Sequence, residues 1–136
     1  MTNKQTIEPD IFRVIDANLN RLREGIRVIE DILRYKENNR YFASKLKALR
    51  HRTRTEDTKK LLVYRDSVND VLKPSTSNEK KRDDVESIII ANFKRAQESA
   101  RVLEELYKLH SPSSSEEFKT IRYELYTLER EILLEQ

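Results

Sequence analysis

The chain has 136 residues, 38% charged and 37% hydrophobic, with one Gly, three Pro and no Cys. That length suits one domain, residues 1–136, whose apolar residues must be placed as stripes on helices. So little Gly and Pro leaves nothing to punctuate a many-stranded fold, and the lack of Cys excludes disulfides and Cys-ligated metal. A net charge of +3, from 27 basic and 24 acidic residues, does not demand nucleic acid. No stretch approaches the ~18 apolar residues of a membrane span. The polar start MTNKQTIEPD does not read as a signal peptide, so the expectation is an all-α, cytoplasmic protein.

Pro9 and Asp10 open the first predicted helix. Ile11, Val14, Ile15, Leu19, Leu22, Ile26, Ile29 and Leu33 then recur at three- and four-residue steps to about Tyr35. Glu37–Asn39 ends it. A second helix reads from about Arg40 to Arg54, with Phe42, Leu46 and Leu49 inward. Thr55 is a plausible cap for a short third helix reaching Tyr64. The stretch from about 65 to 82 is polar at its centre, contains Pro74 and reads as a linker. A second long helix from about Asp83 to His110 carries Val85, Ile89, Phe93, Ala96, Ala100, Leu103 and Tyr107. After the break SPSSS, a last helix from near Glu116 carries Phe118, Ile121, Leu125, Leu128 and Ile132.

The chain repeats itself. ANLNRLREGIRVIE (17–30) returns as ANFKRAQESARVLE (91–104), identical at seven of fourteen positions, five of them polar or charged. LKALRH (46–51) returns as FKTIRY (118–123). The repeating unit is therefore a hairpin of a long and a shorter helix, about 11–54 and again about 83–134. Two such hairpins predict an antiparallel four-helix bundle with a pseudo-two-fold axis.

A core needs only apolar residues, so the retained polar ones ask for a reason. On a helical wheel Asn18, Arg21 and Gly25 lie beside the apolar stripe, as do Asn92, Arg95 and Ser99 in the second copy; Glu24 and Glu98 sit a little further round. Asp16, Asn20, Arg23, Arg27, Glu30 and Arg34 fall on the wet face. Gly25 costs ~1 kcal/mol against Ala in a helix interior, so a close approach by a ligand or another helix is expected there. Two readings fit the mirrored Asn and Arg. One is a pair of Arg21–Glu24 and Arg95–Glu98 networks that set the register of the bundle. The other is a shared polar cleft for phosphate, which guanidinium forks bind in bidentate fashion. In that cleft Arg21, Arg95, Arg50 and Arg122 would converge from four helices. Intrahelical ion pairs or a second hairpin layer account equally well for Arg27, Arg101, Glu30 and Glu104.

The basic run LRHRTR (49–54) is either a solvated helix end or an anion site; on that run alone, an RNA-binding bundle is a remote alternative. YRDSVND adds Arg65, Asp66 and Asp70, two carboxylates that would hold Mg²⁺ through water or simply shape a turn. With two His and no HExxH, zinc catalysis is not expected, and without a glycine-rich phosphate motif a backbone phosphate cradle is excluded. The six tyrosines read as core and rim.

IDANLNRLREGIRVIEDILRY, LKALRH, YRDSVNDV and ANFKRAQESARVLEEL together resemble one small bacterial family, over about residues 10 to 130. It is the helical domain often fused to the N-terminus of thiamin-phosphate synthase and also found alone. The family is described as a monofunctional hydroxymethylpyrimidine-phosphate kinase. The resemblance implies transfer of the γ-phosphoryl group of ATP, with Mg²⁺, onto the pyrimidine monophosphate. It implies Arg21, Arg95 and Arg50 as phosphate clamps, with Arg65 and Arg122 beside them. Asn18 and Asn92 would orient the substrate or a metal-bound water, and Asp66, Asp70, Glu24 or Glu98 would hold Mg²⁺. A thiamin-phosphate synthase and a second copy of this chain are the implied protein partners. Synthase activity itself is not expected, because it needs a (β/α)₈ barrel of about 200 residues or more. One departure stands out. The family reads RD…GDVG where this chain has RDSVNDVL, so Asn69 and Leu72 replace two glycines; weaker phosphate binding is expected if that loop wraps phosphate with its backbone. The competing class is a non-catalytic regulatory or partner domain.

Overall fold

A computed structural model describes residues 9–54, 58–76 and 81–135. Every regular element among them is a helix: α1 (Pro9–Asp31), continuing into a wider π turn (Ile32–Lys36), α2 (Arg40–His51), α3 (Thr58–Tyr64), α4 (Val85–Tyr107) and α5 (Pro112–Glu135). The expected cap at Thr55 and the centre of the linker, 77–80, lie outside the described residues. Local chemistry sets the ends. Asn38 takes the left-handed conformation, with φ 51°, which asparagine tolerates better than most residues. Asn39 then caps α2 by accepting from the backbone N–H of Phe42 at 3.0 Å. Asp84 caps α4 through the N–H of Ser87 at 2.7 Å. The last helix starts ahead of the expected Glu116, at Pro112. Proline lacks an N–H that the first turn would leave idle anyway, and the Ser111 hydroxyl accepts from Ser114.

α1 and α4 form the central pair and run antiparallel. Phe12, early in α1, meets His110 just past the end of α4, while Gly25, late in α1, meets Asn92 early in α4. α2 folds back onto α1 and α5 onto α4, which gives the four-helix bundle expected from the repeat. The apolar stripes are buried almost as read: Ile15, Leu22, Ile26, Ile29 and Leu33 from α1 meet Phe93, Ala96, Ala100 and Leu103 from α4, all without exposed surface. Each large aliphatic so placed contributes about 1.5–3 kcal/mol. Val14 is the exception and faces solvent. α3 is fastened to the start of α1, where Tyr64 stacks on Phe12 at 5.6 Å and the Lys60 ammonium lies 4.4 Å over the same ring.

Gly25 has its local reason in this seam, and the neighbour is a helix. A Cβ there would stand 3.0 Å from the Asn92 carbonyl oxygen and 3.5 Å from the Ala96 Cβ. Gly25→Ala gains ~1 kcal/mol of helix propensity but must push two backbones apart, which typically costs 1–3 kcal/mol. A net loss of about 1 kcal/mol is expected in urea denaturation. A higher melting temperature for the variant would contradict the close contact.

The two hairpins differ in one respect that shapes everything below. α5 continues unbroken to Glu135, whereas α2 stops at His51. In the core register that runs Phe118, Ile121, Leu125 in α5, the first copy has Leu46, Leu49 and then Thr53. Thr53 is buried, and its hydroxyl must find an acceptor; it donates to the Arg50 carbonyl at 2.6 Å. That local bond competes with continued helix. The chain leaves the helix, re-enters as α3, and places Leu61 and Arg65 against α1.

Candidate functional site

Apart from Arg27 and Arg101, which pair within their own helices, and Glu24 and Glu98, the structure separates the duplicated polar residues into three groups. The first is internal to each helix: Asn18 donates to the Val14 carbonyl and Asn92 to the Ile88 carbonyl, both at 2.9 Å. The second ties each hairpin together. Glu30 has no exposed surface, and Arg50 donates to both its oxygens, at 2.6 and 3.2 Å. Glu104 is likewise buried, and Arg122 donates to it through two nitrogens, at 3.1 and 2.9 Å. The third group, Arg21 and Arg95, is exposed and forms no hydrogen bond or ion pair with the described residues.

The wheel therefore misplaced Glu30, Glu104 and Asp16, which are buried and not wet. It measured one apolar stripe, but α1 and α4 are each covered on two sides, by one another and by their own hairpin partner. Register-fixing Arg–Glu pairs exist, with Glu30–Arg50 and Glu104–Arg122 as the partners in place of Arg21–Glu24 and Arg95–Glu98. The expected convergence of Arg21, Arg95, Arg50 and Arg122 does not occur. Arg50 and Arg122 are engaged inside their own hairpins, and hydrogen bonding to Glu30 holds the Arg50 guanidinium above its ordinary pKa.

What does converge lies on the first half. A cleft of about 440 Å³ opens between α1 and the loop after α3, and it gathers Asn18, Arg21, Arg65, Asp66 and Asp70. Arg13 and Asp16, which no sequence motif marks as site residues, complete it. Arg65 grips the buried Asp16 carboxylate with two bonds of 2.7 Å, and this pair raises the arginine's pKa. Arg13 donates to the Asp66 carbonyl at 2.9 Å. These two contacts fix the loop on α1 across more than forty residues of sequence. Arg21 is left as the guanidinium with no partner among the described residues.

The loop also accounts for the two missing glycines. Asn69 donates its backbone N–H to one oxygen of Asp66 and its side-chain amide to the other, at 3.1 and 2.7 Å. Those bonds hold the Asp66 carboxylate below its ordinary pKa. The N–H of Leu72 goes to Asp70 at 2.9 Å. Neither residue has a positive φ, so the turn needs no glycine here, and both backbone N–H groups serve the loop's own carboxylates.

Asn92, Arg95, Glu24 and Glu98 are absent from this cleft. Glu98 and Arg122 line a separate groove on the second hairpin, with Lys94, Gln97 and Tyr126. For a divalent cation, no cluster of three or more His, Asp or Glu among the described residues makes a cage. Asp66 and Asp70 both line the cleft, and Mg²⁺ takes one or two carboxylates together with phosphate and water. No described helix is long and apolar enough to cross a membrane.

The model of the ThiD2 family matches residues 13–131. Among curated proteins the chain is similar to the thiamine-phosphate synthases of Nostoc punctiforme, 37% identical over 97% of this chain, and Synechocystis, 40% identical over 90%. It is also similar to that of Gloeobacter violaceus, 39% identical over 90%. It spans 38%, 36% and 36% of the length of these relatives, respectively. No solved structure matches it.

Proposed function

The chain belongs to the ThiD2 family, and from that premise we propose that it is a thiamin-biosynthesis kinase converting hydroxymethylpyrimidine phosphate to the diphosphate with ATP. The observation that supports this most directly is the cleft that gathers Arg21, without a partner among the described residues, with Arg65, Asp66 and Asp70. Phosphoryl transfer asks a protein mainly for positioning and charge neutralisation. A phosphate monoester is largely dianionic at neutral pH, with its second pKa near ~6, so its oxygen attacks the γ-phosphorus without a general base. The bond from that phosphorus to the bridging oxygen breaks, and ADP leaves with the electron pair. Arg21 supplies a bidentate fork for the substrate phosphate. Arg65, held by Asp16, is positioned in advance and cannot swing away. Asp66 and Asp70 would hold Mg²⁺, which would supply the charge neutralisation that a cleft with four aspartates and three arginines lacks.

The test is ADP release from hydroxymethylpyrimidine phosphate, ATP and Mg²⁺; no ADP from the intact protein would end the kinase reading. Asn69→Gly is expected to free one Asp66 oxygen and lower the Mg²⁺ concentration for half-maximal rate by about threefold to tenfold, since a hydrogen bond to a charged group is worth ~1.5–3 kcal/mol, partly recovered from water. An unchanged Mg²⁺ requirement would remove Asp66 from the metal site. A second reading, a non-catalytic partner domain for a thiamin-phosphate synthase, is favoured by the exposed aliphatic residues Val63, Val68, Val71 and Leu72 on α3 and its loop. It predicts thermal stabilisation by the pyrimidine phosphate without ADP.

A further inference from the structure

A second cleft, of about 310 Å³, lies on the other side of the Arg65–Asp16 pair, where the break after α2 opens the first hairpin. It shares Asp16, Asn20 and Arg65 with the first cleft and adds Arg23, Arg54 and Thr53. The Nε of Arg23 is buried there and has no hydrogen-bond partner. The Arg54 guanidinium forms no hydrogen bond or ion pair with the described residues.

The second hairpin shows what the same place looks like when the protein satisfies it. Arg23 corresponds to Gln97, and Arg54 to Tyr126, in the repeat. Gln97 donates to Glu129 at 2.8 Å, Lys94 reaches the same carboxylate at 3.3 Å, and Arg122 is held by Glu104. Glu129 can do this because α5 continues past the point where α2 ends. In the first hairpin the helix is broken, and a cation replaces the neutral Gln97. A guanidinium N–H removed from water without an acceptor is costly, so the missing acceptor is expected to come from a ligand.

The chemistry of that ligand follows from the charges. Three guanidinium groups face one carboxylate, which Arg65 already engages. The cleft therefore asks for an anion with several oxygens, and planar guanidinium forks match phosphate oxygens two at a time. Two forks without a partner among the described residues, with the exposed edge of Arg65, exceed what one phosphate group can occupy. At the small end of the ~300–1,000 Å³ range of ligand pockets, the cleft has room for a phosphate chain, with any attached nucleoside at its rim.

We propose that this cleft is an oligophosphate-binding site, in which Arg23 and Arg54 hold the phosphate chain of a nucleoside triphosphate or of a free inorganic oligophosphate, with Arg65 on the wall shared with the first cleft. Binding of the anion stands independently of the kinase reading. Its further placement as the seat of the phosphoryl donor rests on that reading.

Isothermal titration of the intact chain with sodium tripolyphosphate, ATP and orthophosphate tests it, using Arg23→Gln, Arg54→Gln and, as a control outside both clefts, Arg95→Gln. Glutamine is what the second hairpin carries at the position of Arg23, so that variant is expected to fold. Arg54 is exposed, and its variant provides an independent reading, with thermal melting as the check on both. The expected result is tripolyphosphate binding weakened at least tenfold by either Arg23→Gln or Arg54→Gln and less than twofold by Arg95→Gln, with orthophosphate weakest. ATP bound with the same dependence on Arg23 identifies a nucleotide as the source; tripolyphosphate bound without ATP identifies a free oligophosphate. Wild type binding none of the three, or binding unmoved by both variants, overturns the proposal. Binding that depends on Arg23 in a protein releasing no ADP leaves this site standing and removes the kinase.

Discussion

Arg50→Ala is expected to destabilise the fold by about 3–5 kcal/mol, because it strands a carboxylate with no access to water. Glu30 has no exposed surface, and Arg50 supplies the donors to both its oxygens. The loss should appear as a lower urea midpoint with the slope unchanged. Replacing both partners by apolar residues of similar volume, Glu30→Leu with Arg50→Met, should return the protein to within about 1 kcal/mol of wild type or better, because the cost lies in the unpaired charge and not in the lost pair. Arg122→Ala should act in the same sense but less severely. Glu104 keeps a second cation nearby, with Arg101 at 3.5 Å. A loss under about 1 kcal/mol for Arg50→Ala would mean that Glu30 reaches water in solution.

Arg21→Ala is expected to lower kcat/KM for ADP formation by about 10²–10³-fold, the usual cost of removing one preorganised donor to the reacting group. Stability should change by no more than about 0.5 kcal/mol, since the side chain is exposed and has no partner among the described residues. Arg21→Lys should restore part of the rate, keeping the charge and losing the fork. Arg95→Ala, the same substitution in the second copy, should leave the rate near wild type, because Arg95 does not line the cleft. Equal losses for Arg21→Ala and Arg95→Ala would overturn the assignment of the site to the first half.

The helices and their buried faces were legible because apolar residues three and four apart fall on one face of a helix, whereas a strand would alternate every second residue. The hairpin repeat was legible because Arg50 and Arg122 occupy matching places after matching long helices. What the wheel could not supply was a second contact side. A helix covered by two neighbours buries residues well away from its main stripe, and Glu30, Glu104 and Asp16 are three such residues. Their partners lie 20, 18 and 49 residues away, beyond any local pattern. The first cleft was half legible. Arg21, Arg65, Asp66 and Asp70 came from the motifs, whereas Arg13 and Asp16 did not. A usable signal lay in the differences between the copies: Asp16, Arg13 and Arg23 stand where the second copy has Ile90, Ser87 and Gln97. Shared Glu30, Arg50, Glu104 and Arg122 serve the architecture, while unshared charge lines the two clefts.

The buried ion pairs have one further implication. Glu30–Arg50, Glu104–Arg122 and Asp16–Arg65 each close within one half of the chain, so the α1–α4 seam is joined by shape and apolar surface, and the ion pairs between the halves are the exposed ones of Arg52 with Glu117 and Glu124 on α5. The halves accordingly relate to one another as two subunits on a common tether. A protease nick in the loop after α3, within residues 67–76, should therefore leave a non-covalent pair that still migrates as one particle.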